Sequence, residues 1–135
     1  MYSRFAVLIL FVLASCADTP KPLDCKQYKN GKYRFNFNYG GRIVQFVVER
    51  NNGNQTERCA ELGAFGYFKV NWKDDCNYQL VYLNGADSLP PEAKERRRKM
   101  VTYTKILSGT DNYYLYEATN NLNDNVMNDT MWLIK

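Results

Sequence analysis

Between positions 33 and 39 aromatic and polar residues alternate strictly, with Tyr33, Phe35, Phe37 and Tyr39 on one parity and Arg34, Asn36 and Asn38 on the other. Successive side chains of a strand point to opposite faces, so this repeat specifies a β-strand with one face buried and one wet. The period returns over residues 42–50, where Val44, Phe46 and Val48 oppose Gln45 and Glu49, although Ile43 and Val47 make the second face partly apolar. It returns again over 65–73, with Phe68, Val70 and Trp72 against Lys69, Asn71 and Lys73. Turn chemistry separates these runs: Gly40-Gly41 follows the first, and Asn51-Asn52-Gly53-Asn54 offers residues that tolerate positive φ, a strong hairpin signal.

Further strands are expected over 55–61, a polar return at an edge or on a solvent-facing wall, and over 76–83, 100–107, 112–119 and 130–134. Asn84-Gly85-Ala86-Asp87 reads as a chain break, and an asparagine-rich loop is expected before the last strand. Only residues 92–98, after Leu89-Pro90-Pro91, have helix-forming composition. Short connections between consecutive strands favour neighbours in space. The expected fold is therefore all-β: an antiparallel up-and-down meander forming a lipocalin-like barrel or half-barrel, with one short helical connection near 90–98.

The 135 residues leave room for one such domain. The N terminus is read separately. Arg4 precedes an unbroken apolar run over 5–13, and small residues follow, the pattern of a signal peptide over 1–15. Nine apolar residues are too few to span a bilayer as a helix, which takes ~20. Leu13-Ala14-Ser15-Cys16 resembles the lipobox of bacterial lipoproteins, which implies acylation of Cys16 and its exposure as the mature N terminus. A competing cut after Ala17 would release a secreted protein instead. Residues 16–24, with two prolines, then form the lipidated cysteine and its tether, and 25–135 the single β domain. The expected address is the cell envelope, at the outer membrane of a Gram-negative bacterium.

In an exported chain Cys25, Cys59 and Cys76 meet an oxidising compartment, and three thiols leave one over. Cys25 with Cys76 is the favoured pair, because it would pin the first segment to the sheet. Spacing leaves Cys25 with Cys59, Cys59 with Cys76, or no bond open. No two of these cysteines are close enough for a closely spaced zinc-ligand pair, and Cys59 is read as a buried inert thiol.

Cys25-Lys26-Gln27-Tyr28-Lys29-Asn30-Gly31, then Arg50 with Gln55 and Glu57, and then residues 70–80 (Val-Asn-Trp-Lys-Asp-Asp-Cys-Asn-Tyr-Gln-Leu) together resemble a family of small bacterial lipoproteins. The resemblance covers about half of the mature chain. It implies a β-sandwich or lipocalin-like meander of unknown function, with matching cysteines at Cys25 and Cys76; Cys59 lies outside the pattern. Some similar proteins are labelled DNA topoisomerase IV. The residues do not support that label, since strand cleavage needs a nucleophilic tyrosine, an acidic metal cluster and several domains. The 11 tyrosines here fall at strand-alternating positions such as Tyr33, Tyr39, Tyr78 and Tyr82.

The chain has no histidine, which removes Ser-His-Asp and Cys-His nucleophile systems and every histidine-bearing metal site. Adjacent Asp74 and Asp75 would point to opposite faces of a strand and are explained by turn chemistry. The Asx-rich segment from Asp111 to Asn125 lacks EF-hand spacing. Asn54-Gln55-Thr56 and Asn128-Asp129-Thr130 match the glycosylation acceptor pattern but read as turns in a bacterial chain. No catalysis, cofactor, metal or specific nucleic-acid partner is expected.

Two roles remain. One is a non-catalytic interaction or structural module at the membrane surface, presenting Arg50, Gln55, Glu57 and Lys73 to an envelope partner. The other is a binder of an apolar or amphipathic small molecule, lined by rings such as Phe35, Phe46, Trp72 and Tyr82. An unfilled interior would favour the second. Lys94, Arg96, Arg97 and Arg98 are candidates for lipid head groups, although Glu92 and Glu95 dilute their field and the net charge is only +4.

Overall fold

The computed structural model describes residues 22–135. The expected signal peptide and the acylation site Cys16 lie outside them. Eight strands follow one another: β1 (Gly31–Tyr39), β2 (Arg42–Asn51), β3 (Asn54–Cys59), β4 (Ala64–Trp72), β5 (Asn77–Ala86), β6 (Val101–Gly109), β7 (Tyr113–Asn120) and β8 (Asn123–Leu133), with one helix, α1 (Pro91–Lys99), between β5 and β6. Each strand pairs antiparallel with the next, and β8 returns to β1 through Tyr33 opposite Leu133 and Arg34 opposite Trp132, so the meander is a closed barrel.

The tight turns arise where the residues permit them. Gly40 and Gly41 have φ of 58° and 83°, and Asn52 and Gly53 have 47° and 74°. Two successive positive φ values give the turn whose twist matches that of the flanking strands. The alternating rings face inward as the period requires: Tyr33, Val44 and Val48 are buried while Arg34, Lys32 and Glu49 are exposed. Charged residues stand on the outer wall at Arg34, Glu49, Lys69 and Lys105, beside exposed apolar residues such as Ile43, Leu115 and Trp132. No described helix is long and apolar enough to cross a membrane.

Three local expectations are corrected. The polar 55–61 segment is not at an edge, because β3 pairs with both β2 and β4 in the closed barrel. Asn84-Gly85-Ala86 does not break the chain: it continues β5 against Phe65–Tyr67, beyond a register shift between Tyr67 and Phe68. The asparagine-rich loop shrinks to a turn in which Asn120 Oδ1 accepts from the backbone N–H groups of Leu122 and Asn123. β8 therefore starts seven residues before Thr130, at Asn123, where pairing with β7 overrides poor strand propensity.

One end of the barrel is plugged. A 3₁₀ turn over Cys25–Tyr28, capped by Asp24 accepting from the Lys26 N–H, lies across it and is tied by a disulfide from Cys25 to Cys76, with the two Cα atoms 5.1 Å apart. This realises the favoured pairing and leaves Cys59 a buried free thiol. Tyr28 is wholly buried under the plug and donates to the Thr110 carbonyl at 2.9 Å. Its hydroxyl lies where a Cβ at Gly109 would sit, so that glycine is needed for the close approach. Tyr28, Tyr33, Val48, Val70, Tyr78, Ile106, Tyr114 and Met131 form the core at this end. The described chain thus enters at the plugged end, and α1 stands at the opposite, open end.

Candidate functional site

The inward parity of β2 runs Val44, Phe46, Val48 and then Arg50, so the hairpin drives an arginine into the core, where it is 2% exposed. Moving a lone guanidinium out of water costs several kcal/mol, so it must be bonded on every side. Four hydrogen bonds do this. Nε donates to Gln55 Oε1 at 2.8 Å, Nη1 to the Tyr28 carbonyl at 2.9 Å, and Nη2 to the hydroxyls of Tyr78 at 3.0 Å and Tyr114 at 3.2 Å. At about 1.5–3 kcal/mol for each bond to a charged group, the set is large enough to offset the desolvation. The Tyr78 ring also lies under the guanidinium, 4.6 Å from Cζ to the centroid.

Tyr33 and Tyr114 stay neutral. Burial pushes Tyr33 up to about 12 and Tyr114 well above the usual phenol range, partly offset in both by Arg50. Burial acts against the charge on Arg50, and the surrounding phenol oxygens more than offset it, so its pKa lies above the ordinary value. Neither Tyr33 nor Tyr114 supplies a phenolate to balance Arg50 at neutral pH. The nearby carboxyl is reached through a relay: Gln55 Nε2 donates to Glu57 Oε1 at 2.7 Å. Gln55, 1% exposed, thus accepts from Arg50 with one end and donates to Glu57 with the other.

Glu57 is where the core ends and empty space begins. The open half of the barrel holds a cavity of about 420 Å³, within the usual range of ~300–1,000 Å³ for small-molecule pockets. Its walls are mostly apolar, with Phe35, Phe46, Phe68, Leu80, Met127 and Met131 among them, and α1 contributes Arg97 at the mouth. Gln55, Glu57, Tyr78, Thr104 and Tyr116 make up its polar lining toward the core. Every fully buried side-chain nitrogen or oxygen among the described residues has a hydrogen-bond partner, and Glu57 Oε2 has none, so that oxygen is accessible from the cavity. Burial raises the Glu57 pKa; Gln55, Arg97 and Arg50 each act against the rise.

At the mouth, Asp87 accepts from Arg97 Nη1, and Lys94 Nζ is 3.9 Å from its other oxygen. The Arg97 guanidinium lies over the Tyr82 ring, 4.5 Å from the centroid. It lies across Gly66, where a Cβ would come within 2.6 Å of Nη2.

The residues singled out by sequence therefore separate into groups. Arg50, Gln55 and Glu57 are brought together, but inside the barrel, so they form no outer patch for a partner. The parity of β2 and closure of the sheet put them there. Phe35 and Phe46 line the cavity as expected, stacked at 5.1 Å between centroids. Trp72 does not: it packs on Tyr78 at the plugged end, with Lys29 over its ring. Tyr82 meets the mouth indirectly, through Arg97 and Phe68. Lys73 is exposed on the outer wall near Tyr103. Lys94, Arg96 and Arg98 are exposed on α1, whereas Arg97 turns to the mouth, where Nη1 donates to Asp87 and the guanidinium stacks on Tyr82.

Sequence reading missed Tyr28, Tyr114, Tyr116, Thr104 and Asp87 as parts of the site. Tyr114 and Tyr116 carried a signal, since they share a parity with Ala118 in the 112–119 run. Asp87 carried none, lying in a stretch read as a break. Compared with family models, with curated proteins and with solved structures, the chain matches none.

Proposed function

We propose that this domain is a non-catalytic carrier or sensor that takes an apolar or amphipathic small molecule into the open half of its barrel. The observation that carries the reading is the unfilled, largely apolar space of about 420 Å³ above a polar floor. A barrel of eight strands has just enough interior either to fill with side chains or to hold one small ligand. Here the plugged half is filled and the other is not. The alternative of an envelope-partner surface loses support, because Arg50, Gln55 and Glu57 are interior.

The address belongs to the same proposal: export, acylation of Cys16 and attachment to the envelope by residues 16–24. A short tether leads to the plugged end, so the cavity mouth and the basic α1 would face away from the anchoring membrane. Intact-mass measurement of protein extracted from its host's membranes reads the acyl mass on Cys16. Mature protein beginning at Asp18 would instead mean secretion.

Binding is tested with N-phenyl-1-naphthylamine, which fluoresces on entering apolar space. Saturable enhancement at one site per chain is expected, abolished by Ala118→Trp, which projects an indole into the cavity. Absence of saturable uptake by the wild-type protein would sink the proposal.

A further inference from the structure

The cavity has a wall that says little about its occupant and a floor that says more. An arginine is the obvious anchor for a carboxylate or phosphate head, and this barrel has two arginines within reach of the space. Both already have partners. Arg50 spends its donors on Gln55, Tyr28, Tyr78 and Tyr114. Arg97 is held by Asp87 and stacked on Tyr82. Beside the neutral hydroxyls of Thr104 and Tyr116, the charged group that faces the cavity with an unused oxygen is the carboxyl of Glu57, with Oε1 bonded to Gln55 and Oε2 open.

An ionised carboxylate accepts and cannot donate, and in apolar surroundings an unmatched head group costs more than in water. A second carboxylate brought to Glu57 would meet like charge at close range. A donor would meet an acceptor already aimed by Gln55 and, through it, by Arg50. The rings of Phe35 and Phe46 then line the path of an apolar tail toward the mouth.

Resting on the carrier reading above, we propose that the cavity takes its ligand head first and selects a head that donates hydrogen bonds, an aliphatic alcohol or amine, over one that carries a carboxylate. Glu57 Oε2 is the recognition atom. Gln55 and Arg50 are positioning residues: they hold the carboxylate in one orientation and do not touch the ligand.

The test is competition at pH 7.5 between bound N-phenyl-1-naphthylamine and three molecules of equal chain length: 1-decanol, decylamine and decanoate. Decanol and decylamine are expected to displace the probe, and decanoate to be weaker than decylamine by about tenfold or more, the discrimination of a single charge-assisted hydrogen bond. Glu57→Gln should close most of that gap, decylamine losing affinity and decanoate gaining it. Decanoate matching or beating decylamine on the wild-type protein overturns the head-group assignment while leaving the carrier reading intact. If the probe does not enter at all, the carrier reading itself has failed. Should Glu57→Gln not fold, the wild-type series alone decides.

Discussion

Arg50 and Gln55 stand opposite each other across the β2–β3 hairpin, and the guanidinium of one donates to the amide oxygen of the other at 2.8 Å inside the barrel. The four-residue turn between them thus does more than reverse the chain. It sets the cross-strand register that lets a buried charge reach its first acceptor, and the same register aims the far end of Gln55 at Glu57.

Removing the guanidinium strands its acceptors. Arg50→Ala leaves Gln55 Oε1 buried without its donor, leaves the Tyr28 carbonyl with the Tyr33 hydroxyl alone, and opens a void, and a loss of about 3–5 kcal/mol in unfolding free energy is expected. Arg50→Lys keeps the charge but not the fork and should recover only part of it. Arg50→Met, by contrast, should cost less than Arg50→Ala because it refills the volume. Urea unfolding of the three variants checks the order. Equal, small losses would mean that the network contributes little.

The disulfide closes a sequence separation of 51 residues and fastens the plug to the start of β5. Loop-closure entropy assigns such a link about 4 kcal/mol. Cys25→Ala with Cys76→Ala should therefore lower the urea midpoint strongly, and hydrogen exchange should rise first at residues 25–28. Tyr28 supplies a second anchor through Thr110. Unchanged exchange in the double variant would show that Tyr28 alone holds the plug.

Glu57 carries a pH signature whose sign is set by burial. A folded-state pKa above the unfolded one means that the native state holds the proton more tightly. That contribution to stability is full below the unfolded carboxyl range and is lost as pH rises through the folded value. Arg50, Gln55 and Arg97 oppose the shift without reversing it. Glu57→Gln should thus be more stable than the parent at neutral pH, with the advantage shrinking on acidification. Unfolding measured from pH 4 to 8 tests this, and an advantage that grew as pH fell would contradict it.

Much of the fold was legible because period and turn chemistry are local. Tyr33 to Tyr39 declared a strand, Asn52-Gly53 declared a hairpin, and their sum, in short connections, declared a meander. The site was less legible because its residues break the local rule. Arg50 kept the parity of Val44 and Val48, yet an arginine at a strand end reads as solvent-facing until four acceptors converge on it from β3, β5, β7 and the plug. On β3 both faces are polar, Gln55 and Glu57 inside and Thr56 and Arg58 outside, so no alternation marks the inner one. Closure decides between them, and closure rests on the distant pairing of β1 with β8.

The mouth offers the clearest separation between binding and stability. α1 has nine residues, none of them buried, and its first-turn N-cap is Pro90, without a side-chain cap. A helix this short does not persist alone in water, so its place depends on Arg97, which Asp87 holds, Tyr82 supports and Gly66 makes room for. Asp87 is itself fixed by accepting from the Leu89 N–H at 3.1 Å. Asp87→Asn removes the charge partner of a half-buried arginine, and Gly66→Ala pushes Arg97 off the wall and presses on the Phe68 ring. Both should loosen α1 at a cost of about 1–2 kcal/mol while leaving the plugged end untouched. Hydrogen exchange should therefore quicken over residues 87–99 and not over 25–35. Stopped-flow association of N-phenyl-1-naphthylamine should also quicken, because the path to Glu57 passes Arg97. Exchange that rose at the mouth without faster entry would mean that the probe reaches the cavity by another route.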